Sequence, residues 1–195
     1  MATVPSPISE GRLAKVTSGF GPREGGMYSF HYGVDFTYPH KGEPKKFPWT
    51  SRSGRWAVPD GLYAVSFLPG VVTSAKWLGT GAGVKIDHGG GISTFYAHGR
   101  NLKVKKGQKV SEGQPLFNIS YSPWKSGCKS TPTNPCKLGL NHLHWEVHKN
   151  GRPVDPEPYL KGARNIQNPS GIGAILFKLA LVGGISYATY RYVLK

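Results

Sequence analysis

A chain of 195 residues is long enough for one domain with its own core plus accessory segments. Charged residues make up only 18%, against 27 Gly and 16 Pro, which excludes a coiled coil and an all-helical bundle. Aromatic residues at 12% and recurring apolar runs exclude disorder, and the excess of 25 Lys+Arg over 10 Asp+Glu (net +15) points to a polyanionic partner. Nucleic acid, anionic lipid and the anionic bacterial cell wall all satisfy that charge, and no nucleic-acid-binding module accompanies it, so no specific nucleic acid is expected.

Residues 1–12 read as a polar leader, and the opening Met1-Ala-Thr-Val-Pro-Ser-Pro-Ile lacks the basic-then-apolar order of a secretory signal peptide. Residues 13–160 read as the main domain. From Lys15 short β-like runs alternate with turn residues: Leu62 to Leu68, Val71 to Trp77, Val84 to His88, Ser93 to His98 and His142 to His148. Lys105 to Val110 reads as a tight turn entering a further strand, and Gly79-Thr-Gly-Ala-Gly as a turn. The expected architecture is mainly β, an antiparallel sheet. The segment from His40 to Asp60, rich in Pro, Lys and Arg, breaks the rhythm as an extended surface loop carrying Trp49 and Trp56.

Cys128 and Cys136 bracket a Pro-rich turn, eight residues apart. They can close a small disulfide loop, or stay free thiols in a reducing compartment. Residues 161–170 read as a polar linker. Gly171 to Tyr190 is then almost wholly apolar and small, and twenty helical residues rise about 30 Å, enough to cross a membrane. Lys178 is its one charge, at a cost of about 2.5–3.5 kcal/mol in mid-bilayer and less if it snorkels. Ala180, Gly184 and Ala188 form a stripe of small residues suited to self-association. This expected C-terminal hydrophobic helix precedes a basic tail, 191–195; positive residues on both sides leave its orientation open.

The chemistry resides in the histidines. His142, His144 and Glu146 alternate along one strand and so share a face, while Leu143, Trp145 and Val147 turn to the core. Two adjacent imidazoles suit a metal site in which one binds and its neighbour acts on substrate. His31 and Asp35 converge on one ion if the chain between them bends, which Gly33 permits. With His144 they offer two nitrogens and one oxygen, leaving a fourth position open as catalytic zinc requires. His88 reads as a turn stabiliser, and His40 and His148 as solvent-facing.

At this point the chain resembles the lysostaphin-like (LytM-type) zinc endopeptidases that cut peptidoglycan cross-links. The likeness runs through Ser18-Gly-Phe-Gly-Pro-Arg, His31-x-Gly-x-Asp35, Gly83-Val-Lys-Ile-Asp-His-Gly and Thr94-Phe-Tyr-Ala-His98. It continues through Val104 to Leu116, His142-Leu-His-Trp-Glu-Val and Asn150-Gly-Arg-Pro-Val-Asp-Pro156. The resemblance implies one Zn2+ per chain held by His31, Asp35 and His144, with His98 and His142 as unligated catalytic histidines. Glu146 is then a candidate orienter of a ligand imidazole. The long loop and the cysteine segment depart from the family pattern, so Trp49 and Trp56 become candidate contacts to glycan or anionic wall polymer. The expectation is a membrane-tethered peptidoglycan endopeptidase facing the cell wall, fitted to a phage virion or lysis role. The competing expectations are an inactive wall-binding module and a structural virion membrane protein.

Overall fold

Strict alternation along one strand organises the molecule. In β12 (Leu143–Lys149), Leu143, Trp145 and Val147 are buried, whereas His144, Glu146 and His148 face the other side and are partly shielded. The computed structural model describes residues 6–9, 14–23, 29–39, 56–57, 62–120 and 142–164.

Flanking β12 are β4 (Val34–Pro39) and β9 (Ile92–Arg100), both antiparallel to it. Beyond β9 come β8 (Ala82–Gly89), β7 (Gly70–Trp77) and the short β10 (Lys109–Val110), and beyond β4 lies β1 (Lys15–Ser18). The order is β1-β4-β12-β9-β8-β7-β10. β11 (Pro115–Ile119) bridges β9 to β6 (Tyr63–Val65), and β13 (Arg152–Val154) forms a hairpin with β12. A separate pair, β2 (Gly21–Pro22) and β3 (Phe30–His31), sits before β4, and α1 (Glu157–Arg164) closes the described chain. Trp145, Tyr96, Phe117, Leu116 and Ile86 are fully buried and form the core beneath the sheet. The Trp145 ring lies 5.0 Å from Phe67 and 6.2 Å from Phe36.

The mainly β antiparallel architecture expected from the sequence is the one observed, with the expected runs from Val71 to His98 becoming β7, β8 and β9. Three details differ. Ile8, read with the polar leader, is buried and bridges to Ala64, because it is the large apolar side chain available to cover that edge of β6. Within the expected loop, Trp56 and Ala57 form β5 (Trp56–Ala57), paired with Pro39 and Tyr38. The boundary expected at residue 160 falls inside α1, so the linker read from 161 begins as helix. Trp49, Cys128, Cys136 and the apolar stretch 171–190, with Ala180, Gly184 and Ala188, lie outside the described residues. Among the described residues no helix is long and apolar enough to cross a membrane.

Candidate metal centre

Three elements deliver three donor atoms to one point. His31 ends β3, Asp35 stands second in β4, and His144 stands second in β12, directly opposite Asp35 in register. His31 Nε2 is 3.0 Å from His144 Nδ1 and 3.2 Å from Asp35 Oδ1, and His144 Nδ1 is 3.0 Å from Asp35 Oδ1. Two ligands on a tetrahedral ion with bonds near 2.0 Å are separated by about 3.3 Å, so this triangle has the size of a metal's coordination face.

The far side of each donor is already committed. His31 Nδ1–H donates to the Gly19 carbonyl at 2.6 Å, and His144 Nε2–H donates to Glu146 Oε1 at 2.9 Å. Those bonds fix the tautomers that turn a lone pair on each ring toward the other. Two facing lone pairs at 3.0 Å repel unless a cation, proton or metal, stands between them. Arg23 Nη2 donates to Asp35 Oδ2 at 3.0 Å and to Ser18 Oγ at 2.6 Å. The donor set therefore fits a divalent ion, with each ligand held from behind by a different partner.

Gly33 contributes room rather than flexibility. The chain does bend between β3 and β4, but Gly33 is not in the left-handed region. A Cβ there would lie 2.4 Å from the Trp145 carbonyl oxygen, 2.9 Å from Glu146 Cγ and 3.0 Å from His144 Cε1. The glycine lets β4 pass against the β12 residues that orient the site.

His98 reaches the site by a break in strand parity. Ile92, Thr94 and Tyr96 of β9 point to the core, so regular alternation would send His98 there too. Between Tyr96 and Gly99, however, β9 has one more residue than the facing segment Ala82 to Val84. At this bulge His98 adopts φ 69°, a left-handed conformation rare for a residue with a side chain. Its ring lies 4.6 Å from that of His142 and 5.9 Å from that of His144. His142 itself places Nε2 3.8 Å from Asp35 Oδ1.

The electrostatics follow from burial and partners. Burial would raise the Asp35 pKa, but the histidines packed around its carboxylate, His144 foremost, then His31 and His142, hold it far below the usual carboxylate range. His144 would be lowered by burial, yet its bonds to Asp35 and Glu146 raise it to about 9. Burial, reinforced by His142 and His144, drives His98 down to about 3. His98 is therefore neutral, with Nδ1–H donating to the Thr80 carbonyl at 3.2 Å and Nε2 left as an acceptor. Burial opposes ionisation of Glu146, but its bonds to His144 and His148 bring it down to about 2.

The structure thus brings together His31, Asp35, His144, His142, His98 and Glu146. Two further residues belong here. Arg23 was missed although it lies in the Ser18 to Arg23 segment; no spacing rule links a basic residue to a carboxylate twelve positions on. His148, read as solvent-facing, is instead shielded and bonds Glu146, because it shares that residue's face of β12 and pairs with Pro153 in the hairpin with β13. His88 bonds the Pro69 carbonyl and Thr94 within the fold, away from the site, as a turn-stabilising role requires. Trp56 stands in β5, and His40 lies outside the described residues.

The sequence model of peptidase family M23 matches residues 51–156, more than half of the chain. The chain belongs to peptidase family M23. The matched span holds His98, His142 and His144, while His31 and Asp35 precede it. Among curated relatives, the murein hydrolase activator EnvC of Escherichia coli is 28% identical over 102 residues, covering 52% of this chain and 21% of the relative. The peptidoglycan DD-endopeptidase ShyA of Vibrio cholerae is 40% identical over 72 residues, 37% of this chain and 14% of the relative. The chain spans about a quarter or less of the length of the curated relatives it matches. A zinc-containing peptidase from Vibrio cholerae superposes with TM-score 0.53 at 26% identity, over 80% of this chain and 39% of that one. The catalytic domain of lysostaphin from Staphylococcus simulans has the same fold, with TM-score 0.53 at 22% identity over 77% of this chain and 94% of that domain.

Proposed function

We propose that the chain is a zinc-dependent endopeptidase that hydrolyses peptide cross-links of bacterial peptidoglycan. The observation that carries this is the meeting of His31, Asp35 and His144 donor atoms within 3.2 Å, with His98 and His142 beside them. Zinc bound by these three residues would supply Lewis acidity toward an amide carbonyl and toward water.

The chain's own groups do the rest. Arg23, the Gly19 carbonyl and Glu146 keep the three donors from rotating away. His98, anchored through Nδ1–H to the Thr80 carbonyl, turns Nε2 toward the site, where it can take the proton of an attacking water. His142, across from it, donates a hydrogen bond to the developing oxyanion and passes a proton to the leaving amine. The likeness to ShyA and to a zinc-containing peptidase supports a peptide bond of the wall as substrate.

In this reading the apolar stretch 171–190 tethers the domain to a membrane facing the wall, with the Ala180, Gly184 and Ala188 stripe free to pair two chains. The likeness to EnvC supports a second reading, a murein hydrolase activator. The complete donor triad and the His98–His142 pair favour catalysis. Incubation with purified sacculi separates the two. Catalysis predicts new amino groups from the wild type and none from His98→Ala or His142→Ala. A wild type that releases nothing alone, yet accelerates an added hydrolase, would establish the activator instead.

A further inference from the structure

We infer that His148 is a positioning residue for the metal-binding imidazole of His144, acting through Glu146. The three side chains follow one another on the same face of β12. Glu146 Oε1 accepts from His144 Nε2–H at 2.9 Å, and Glu146 Oε2 accepts from His148 Nε2–H at 2.5 Å. A carboxylate held by a single donor turns easily about its last bond; one gripped at both oxygens keeps its plane. The orientation of that plane sets the direction of the His144 ring, and hence of the lone pair at Nδ1.

The other nitrogen of His148 sharpens the point. His148 Nδ1 is buried and has no hydrogen-bond partner among the described residues. An orphaned buried polar atom is unfavourable, and an apolar side chain of similar size would remove it. Packing alone therefore does not explain a histidine here. The Nε2–H bond to Glu146 does.

The inference rests on the reading of His144 as a metal ligand, and its test reads zinc binding without any substrate. His148→Leu removes the donor; His148→Gln returns an amide N–H near the place of Nε2–H. Zinc dissociation constants come from chelator competition, and melting of the metal-free chain serves as the structural control. The expected result is a 10–100-fold weaker zinc affinity for His148→Leu. His148→Gln should recover to within a few-fold of wild type, and both metal-free variants should still unfold in one cooperative melting transition. Wild-type affinity in His148→Leu, or equal weakening in Leu and Gln variants, would overturn the role. Zinc binding that obeys this pattern in a chain inert toward sacculi would remove the peptidase reading and leave the positioning role standing.

Discussion

His98 sits in the left-handed region, where a side chain costs about 1–2 kcal/mol and glycine does not. His98→Gly should therefore be more stable than His98→Ala by about 1 kcal/mol in urea denaturation, a margin taken from that same penalty. Both variants should lose about 10²–10⁴-fold in hydrolysis. Equal stability of the two would contradict a strained backbone at this position. A second prediction concerns the proton on His144 in the metal-free chain. Its pKa rises from 6.5 to about 9 in the fold, so the stability it contributes is complete below 6.5 and is lost as pH climbs through about 9. Glu146 behaves in the opposite sense: lowered from 4.5 to about 2, its contribution is complete above 4.5 and is lost as pH falls toward 2. The melting temperature of the metal-free wild type, minus that of His144→Gln, should decline between pH 6.5 and 9; a flat difference would contradict it. At this scale the face shared by His144 and Glu146 was legible, because alternation in a strand is purely local; His142, expected on the same strand, immediately precedes β12. The arrival of His98 was not, since it depends on a bulge that only the pairing with β8 reveals.

Among the elements, β12 is the hinge of the whole arrangement, carrying the core on one face and the site on the other. Trp145→Ala, which empties the space against Phe67 and Phe36, should cost about 3–5 kcal/mol in denaturant unfolding and reduce zinc affinity alongside. Gly33→Ala tests the contact between β4 and β12 from the other side. Its methyl group would collide with Trp145 O and crowd Glu146 and His144. Overpacking of this kind typically costs about 1–3 kcal/mol, and zinc affinity should fall with it; an unaltered affinity would show that β4 has slack. The strands from Val71 to His98 were readable because each is a short β-rich run bounded by turn residues. The pairing of Trp56 with Pro39 and the burial of Ile8 were not, because both depend on partners distant in sequence.

Over the whole molecule, the net charge of +15 is long-range and carries no positional information. It predicts that adsorption to anionic sacculi weakens steeply as salt rises, while cleavage of a short neutral peptide holds nearly constant. Salt-independent adsorption would assign wall contact to specific side chains instead. The antiparallel β class was legible from composition and rhythm alone. The metal centre required three segments, from β3, β4 and β12, to meet, and spacing along the chain states no such distance. The central claim is that these three side chains bind one zinc ion. Native mass spectrometry of the zinc-loaded chain measures this directly. The account predicts one zinc on the wild type and none on Asp35→Ala or His144→Ala under the same conditions. Equal zinc occupancy in all three would contradict it.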